Sequence, residues 1–202
     1  MRAGYDAIAQ RYDDWASSFE SAEHAWVAEL LAELEEGSNV LDLGCGGGRT
    51  SARTVAERHR YTGVDLSAAQ VERARERIPS GTFIVADAAE VQLPAEAFDA
   101  VLSLFMFGHV PRDEQAPLLG RIHGWLRPGG RLLATMGIGG GEGVIEEDWL
   151  GAPMFFASFD AGTNRRLVAE AGFEIVRDRV VEHVEPGHGP VSFMWLLARR
   201  PT

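Results

Sequence analysis

The stretch that decides the fold is Val40-Leu41-Asp42-Leu43-Gly44-Cys45-Gly46-Gly47-Gly48-Arg49-Thr50. It reads as a short apolar strand that carries a carboxylate near its end, followed by a glycine-rich turn and the start of a helix. Glycines let a ligand approach the backbone closely, and the free N–H groups at a helix N-terminus face the same place. This arrangement is typical of a nucleotide-type cofactor site at the carboxyl edge of a parallel sheet.

The spacing of the glycines differs from the dinucleotide-binding pattern G-x-G-x-x-G. Gly44, Gly46 and Gly48 give G-x-G-x-G, and Arg49 stands where the dinucleotide pattern has its last glycine. Because that glycine allows close packing of helix on strand over a pyrophosphate, Arg49 argues against a dinucleotide. The neighbouring Asp42 also suits a cationic ligand group better than a phosphate.

Two further predicted strands also end in aspartate. Residues 61–64 lead to Asp65, and residues 82–86 lead to Asp87. A carboxylate at the end of the second strand can accept both hydroxyls of a ribose, although Asp65 is also placed to cap the helix that follows. Three successive strands that end at Asp42, Asp65 and Asp87 form a pattern that folding alone does not require. The pattern favours a ligand site at this edge of the sheet.

Together these motifs resemble the class I S-adenosylmethionine-dependent methyltransferases that act on small molecules. The stretches that carry the resemblance, in the family's order and spacing, are 40–50, 63–67, 86–88, 98–103 and 126–130. The resemblance covers residues 5–138. It implies an α/β fold, a Rossmann-like doubly wound sheet of about seven strands with the last one antiparallel and helices on both faces.

The resemblance also implies which residues hold S-adenosyl-L-methionine. Gly44, Gly46 and their backbone neighbours would hold the methionine part, with Asp42 near its ammonium group, Asp65 on the ribose and Leu66 on the adenine. Asp87 would accept from the adenine amino group and the Ala88 N–H would donate to the ring, while Ser103 and Leu104 line the same cleft. Two further residues are candidates: Cys45, through packing or its backbone, and Tyr12, whose ring can attract a sulfonium.

The amino-acid composition limits the classes of partner that the protein is expected to bind. The chain has 202 residues, a hydrophobic content of 46% and a net charge of −11, from 19 basic and 30 acidic residues. Nucleic acid binding depends on Lys and Arg side chains that neutralise phosphates, so the excess of acidic residues disfavours a nucleic acid substrate.

No apolar run approaches the ~20 residues that a membrane span needs, and no signal-peptide pattern is present. We therefore expect a cytoplasmic protein without a membrane partner. We also expect a monomer or a homodimer. The single cysteine, Cys45, excludes an intrachain disulfide.

The length of the chain predicts one domain over 1–202, and the resemblance implies that it is a methyltransferase domain. Within it we expect an N-terminal helical lid at 1–38, a cofactor-binding core at 39–138, and an acceptor-side segment with a closing hairpin at 139–202. Residues 142–158 are apolar but show no regular periodicity.

The acceptor is expected beyond the fourth strand, where the carboxyl ends of the strands open a cleft. His109 is the only titratable group between Leu104 and Val110, and it reads either as a general base or as an anchor for the next helix. Aromatic and sulfur-containing side chains suggest an apolar acceptor pocket; they are Phe105, Met106, Phe107, Trp149, Phe155 and Phe156.

No metal is expected. The stretch after the fourth strand lacks the carboxylate that a Mg²⁺-dependent enzyme would use. His183, Glu185 and His188 could be imagined as metal ligands, but a hairpin loop is the commoner context for such residues.

The sequence therefore predicts metal-independent methyl transfer to an O, N or S atom of a small, largely apolar or aromatic metabolite. A non-catalytic cofactor-binding protein of the same fold is one alternative. A nicotinamide-dependent oxidoreductase is another, disfavoured by Arg49 and by the absence of a Tyr-x-x-x-Lys pair, since the chain contains no lysine.

Overall fold

The structure, a computed structural model, describes residues 1–18 and 22–202. Residues 19–21, which fall inside the predicted lid at 1–38, lie outside the described residues. The strands are β1 (Asn39–Leu43), β2 (Arg60–Asp65), β3 (Thr82–Val85), β4 (Phe98–Ser103), β5 (Leu126–Gly137), β6 (Val144–Trp149), β7 (Ala152–Phe156), β8 (Glu174–Glu185) and β9 (Gly189–Arg199). The helices are α1 (Arg2–Ala16), α2 (Glu23–Ala32), α3 (Thr50–Ala56), α4 (Ala68–Arg77), α5 (Arg112–Trp125) and α6 (Ala161–Glu170), with a short 3-10 turn at Phe107–His109.

Seven of these strands form one sheet in the order β3-β2-β1-β4-β5-β9-β8. Neighbours from β3 to β5 pair in parallel, whereas β9 runs antiparallel to both β5 and β8. This confirms the predicted fold class, including a last strand of opposite direction. Because β1, β2 and β4 are adjacent and parallel, their carboxyl ends meet at one edge of the sheet.

Helices cover both faces of the sheet. Successive residues of β1 point to opposite faces, so Leu41 joins a core cluster with Leu118 of α5, and Val40 joins another with Leu30 of α2 and Val71 of α4. All five side chains are fully buried. Burial of one such side chain is worth about 1.5–3 kcal/mol, so these two clusters hold the sheet edge in place.

The expectation of an irregular segment at 142–158 is wrong. Strands β6 and β7 form an antiparallel hairpin, with Val144 opposite Phe156 and Glu146 opposite Met154. One face of this ribbon packs Trp149 and Met154 against Ile8 of α1. The other face of the ribbon is exposed to solvent, so apolar and polar residues do not alternate clearly along β6.

Helix α1 is held across the carboxyl edge by ion pairs to α4. The buried Asp13 carboxylate accepts hydrogen bonds from Arg73 at 2.7 Å and from Arg77 at 2.6 Å. Nearer the start of the helix, the Asp6 carboxylate accepts from the Ser67 hydroxyl at 2.6 Å. The helix is therefore fixed at both ends. In the part of the chain that the structure describes, no helix is long and apolar enough to cross a membrane.

Candidate active site

The glycines of the turn after β1 serve two different purposes. Gly44, Gly46 and Gly48 all have positive φ angles, of 75°, 52° and 65°. A Cβ on Gly44 would lie 2.8 Å from the Cβ of Met106, and one on Gly48 would lie 3.0 Å from the Cα of Ala74 in α4. A Cβ on Gly46 would meet nothing within 4 Å. Gly44 and Gly48 therefore serve packing, whereas Gly46 keeps its space open.

The close packing of the glycine turn on α4 thus depends on Gly48, which stands one position before Arg49. The Arg49 guanidinium instead donates to the backbone carbonyl of Ala16, at the end of α1, at 2.6 Å. Arg49 therefore reaches towards α1, and it is the single arginine among the described residues that line the two cavities at this edge.

Asp65 is bound to the glycine turn. Its Oδ2 accepts from the Gly46 N–H at 2.8 Å and its Oδ1 accepts from the Ser67 N–H at 2.9 Å. The helix cap is Ser67, whose hydroxyl accepts from the Gln70 N–H at 3.1 Å, so Asp65 is not the N-cap of α4. Burial raises the pKa of the Asp65 carboxyl, partly offset by these two hydrogen bonds.

The other two aspartates lie at the same edge. Asp42 accepts from the Tyr61 hydroxyl at 2.6 Å, and its burial raises the pKa of the carboxyl to about 7. Asp87 accepts from the Ala89 N–H at 2.8 Å. The structure brings all three aspartates to the walls of two adjoining cavities.

The smaller cavity has a volume of about 370 Å³ and the larger about 570 Å³. Asp65, Leu66, Asp87 and Ala88 line the smaller cavity, and Asp42 and Cys45 line the larger one. Of the residues that the structure describes, seven line both cavities and mark the junction: Tyr5, Tyr12, Gly44, Gly46, Leu104, Phe105 and His109.

One predicted site residue does not reach either cavity. The Ser103 side chain is fully buried and is absent from both linings. It lies at the end of β4 opposite Ala134 of β5, and its buried hydroxyl has no hydrogen-bond partner among the described residues. We therefore do not retain Ser103 in the proposed site.

Cys45 also has a packing role. A Cβ on Gly63 of β2 would lie 2.8 Å from the Cys45 sulfur, so the thiol fills the space that this glycine leaves. Burial raises the pKa of the thiol well above its usual range, which keeps it protonated. Cys45 is thus not an activated nucleophile.

His109 is held by two hydrogen bonds. Its Nδ1 lies 2.9 Å from the Phe155 carbonyl oxygen, and its Nε2 lies 2.7 Å from the Tyr5 hydroxyl. Because a carbonyl only accepts, Nδ1 carries the hydrogen and Nε2 accepts from Tyr5. Burial lowers the pKa of His109 to about 4 and raises that of the Tyr5 phenol well above 10, so both groups are uncharged at neutral pH.

The larger cavity is more aromatic than the sequence indicated. Of the predicted aromatic residues, Trp149 and Phe156 line the larger cavity and Phe155 the smaller, while Phe107 belongs to the core. Sequence reasoning missed Trp15, which lines the larger cavity. No local motif marks this residue, because α1 reaches the cavity only through its packing on α4.

Sequence reasoning also missed Gln70, a buried residue of α4 that lines the smaller cavity. Both amide atoms of Gln70 lack a hydrogen-bond partner among the described residues.

No group of three His, Cys, Asp or Glu side chains within residues 1–18 and 22–202 is arranged to hold a metal ion.

Comparison with known proteins gives a consistent result. A family model described as a methyltransferase domain matches residues 40–130. Trans-aconitate 2-methyltransferase of Paracidovorax citrulli is 41% identical over 54% of this chain and 43% of its own length. Ubiquinone biosynthesis O-methyltransferase of Sodalis glossinidius is 31% identical over 65% of this chain and 56% of its own. The chain spans about half the length of the curated relatives it matches.

Among solved structures, the 1,6-didemethyltoxoflavin-N1-methyltransferase of Burkholderia thailandensis superposes with a TM-score of 0.75. It is 25% identical, and the superposition covers 100% of this chain and 87% of the other. That structure contains S-adenosylhomocysteine together with 1,6-didemethyltoxoflavin.

Proposed function

Because the chain belongs to the class I S-adenosylmethionine-dependent methyltransferases, we propose that it methylates an O, N or S atom of a small, largely apolar or aromatic molecule. The observation that carries this proposal is the convergence of Asp42, Asp65 and Asp87 on two cavities that meet at Gly46. The chain acts as one methyltransferase unit, with a lid at 1–38, a cofactor core at 39–138 and an acceptor-side segment at 139–202.

The residues present fit the cofactor. Gly46 leaves open space where any other residue would place a side chain, and Gln70 offers a buried amide without a partner. In our proposal the smaller cavity takes adenosine, with Asp65 on the ribose, Leu66 and Ala88 on the adenine ring, and Asp87 on its amino group.

The larger cavity then takes the methionine part and the acceptor. Asp42 faces the ammonium group, Gly44 and Cys45 contribute backbone, and Arg49 offers a guanidinium to the carboxylate. Leu104 and Tyr12 lie at the junction of the cavities, where the Tyr12 ring stabilises the sulfonium. The bound cofactor supplies an electrophilic methyl group, and positioning of the acceptor in line with it provides much of the rate.

His109 is the candidate catalytic residue. Its Nε2 lone pair is free of a proton at neutral pH and holds the Tyr5 hydroxyl. When a neutral hydroxyl attacks the methyl group, its oxygen becomes positively charged while it still carries its proton. That proton is strongly acidic, so a weak base suffices to remove it. The proton passes to Tyr5 as Tyr5 gives its own to His109. An acceptor that attacks as a thiolate or neutral amine needs His109 only to orient Tyr5.

Several parts of the proposal rest on composition and on motifs. The net charge of −11 supports an acceptor that is not a nucleic acid. We also propose that the reaction is independent of a metal and that the protein is cytoplasmic, has no membrane partner, and is a monomer or homodimer.

Calorimetry with S-adenosylhomocysteine and with NAD tests the proposal. We expect S-adenosylhomocysteine to bind and NAD not to bind; binding of NAD alone would refute the proposal. Methyl transfer to a panel of hydroxyl, amine and thiol acceptors then tests activity, with trans-aconitate, named in one relative, as a comparison. Cofactor binding without turnover on any acceptor would favour the non-catalytic alternative.

The variant Asp65→Ala tests the ribose contact. Two hydrogen bonds to a carboxylate, each worth about 1.5–3 kcal/mol, correspond to a loss of about 10²–10⁴-fold in affinity. Asp14→Ala is the control, because Asp14 is exposed, accepts a hydrogen bond from the neighbouring Gln10, and is not among the described residues that line either cavity. Since Asp65 also accepts from Gly46 and Ser67, the unfolding free energy is measured in parallel. An unchanged dissociation constant would place the ribose elsewhere.

A further inference from the structure

Two indole rings form a corner in the wall of the larger cavity. Trp15 at the end of α1 and Trp149 at the end of β6 lie with ring centroids 5.4 Å apart and planes at 72°. Tyr12 and Phe156 lie 6.0 and 5.6 Å from the Trp149 ring. All four rings line the larger cavity and the two indoles do not line the smaller one. Faces of aromatic rings attract cations, and indole does so most strongly.

Two carboxylates complete this corner. Glu185, at the end of β8, and Glu146, in β6, line the larger cavity. The Glu185 side chain is 12% exposed, and its contact of 3.3 Å is with the His183 imidazole. Glu146 lies 3.4 Å from the imidazole of His188. Among the described residues no arginine forms an ion pair with either carboxylate.

The loop between β8 and β9 closes the corner on its outer side. The Trp15 indole N–H donates to the Pro186 carbonyl at 3.0 Å, and the His188 ring lies 6.2 Å from both indoles. The corner is thus built from α1, the β6–β7 hairpin and the β8–β9 loop. None of these three segments carries the glycine turn or the three strand-end aspartates.

The charges of the cavity favour one class of ligand. Among the described residues of its lining, Arg49 is the only arginine, and it lies at the glycine turn. The corner itself offers two carboxylates, four aromatic rings and no guanidinium. An anionic acceptor placed there would meet like charge in a partly desolvated space, whereas a cation would find both a counter-charge and ring faces.

We propose that the acceptor is an organic cation, a protonated or quaternary amine, whose charged group binds at the Trp15–Trp149 corner against Glu185 and Glu146. The inference rests on the proposed function, because it places the acceptor in the larger cavity beside the cofactor. Trp15, Trp149, Glu185 and Glu146 line only the larger cavity, whereas Tyr12 also reaches the junction, so the acceptor's charged group is placed on the side of the corner away from the smaller cavity.

Matched probes test this assignment. Phenethylamine and 3-phenylpropanoate share a ring and a two-carbon chain and differ in the sign of their charge, and 2-phenylethanol is the neutral member of the set. Each is titrated by calorimetry into protein saturated with S-adenosylhomocysteine. We expect phenethylamine to bind at least ~10-fold more tightly than 3-phenylpropanoate, since ring and carboxylate contacts both favour the cation.

Two variants locate the effect. Glu185→Gln and Glu146→Gln, singly and together, should weaken phenethylamine binding several-fold and leave 2-phenylethanol unchanged. Glu182→Gln is the matched control, because Glu182 lies on the same strand, is exposed and lines neither cavity. Because glutamine keeps the size of the side chain, these variants are expected to fold.

The outcomes separate this inference from the proposed function. Failure of S-adenosylhomocysteine to bind refutes the proposed function. Normal cofactor binding combined with equal or tighter binding of 3-phenylpropanoate refutes the organic cation alone. The same holds if none of the probes binds at millimolar concentration, or if the Glu185 and Glu146 variants bind phenethylamine as the wild type does.

Discussion

Replacement of Gly46 by alanine should separate cofactor binding from folding. The added methyl group would meet no protein atom within 4 Å, yet it would project where the two cavities join. A φ of 52° at this position costs alanine about 1–2 kcal/mol relative to glycine. Overlap of a methyl group with a closely packed ligand costs a further ~1–3 kcal/mol. We therefore expect a modest loss of stability and a loss of about 5–150-fold in affinity for S-adenosylhomocysteine.

Gly37→Ala is the control for backbone strain. Gly37 has a φ of 78°, also has nothing within 4 Å of an added Cβ, and lines neither cavity. Chemical denaturation should give similar losses of unfolding free energy for the two variants, and calorimetry should give a changed dissociation constant for Gly46→Ala alone. An unchanged dissociation constant in Gly46→Ala would show that the cofactor does not approach this glycine, which would refute the proposed placement.

Two further predictions concern pH. The pKa of Asp42 is raised to about 7, and the ammonium group of the cofactor favours the ionised carboxylate. Affinity for S-adenosylhomocysteine should therefore rise with pH through neutrality, and calorimetry on Asp42→Asn should show a flatter profile; a wild-type profile in Asp42→Asn would exclude this contact. The pKa of His109 is lowered from 6.5 to about 4, so between these values the unfolded chain binds a proton that the folded chain does not. Stability is thus lost as pH falls from 6.5 to 4, by about 3 kcal/mol. Denaturation of His109→Asn across this range should lack that loss, and an equal loss in the variant would show that His109 is not buried in its neutral form.

The fold and the cofactor side of the site could be predicted because their signals are local. The stretch 40–50 contains the strand, the turn and the start of the helix in one run, and each strand-end aspartate stands next to its own strand. Gly46 and Asp65 were both predicted, but their hydrogen bond depends on the parallel pairing of β1 and β2. That pairing of β1 with β2 cannot be read directly from the sequence.

The acceptor side could not be predicted in the same way. Trp15, Trp149 and Glu185 come from three distant segments that meet only in the folded chain. The β6–β7 hairpin escaped prediction because one of its faces is open, so the apolar and polar residues of β6 do not alternate. Ser103 stands at a strand end, as expected, but its side chain is buried and lines neither cavity, because the direction of a side chain at a strand end depends on the pleat. The domain bounds and the roles of the remaining site residues stay predictions.

Helix α1 supplies Tyr5 and Tyr12 to both cavities and is held to α4 by Asp13 and to the β8–β9 loop by Trp15. In the placement that we propose, this helix therefore covers the cofactor and the acceptor together. We expect each ligand to enter and leave past the same contacts, so that Arg73 and Arg77, which line neither cavity, influence the exchange of both.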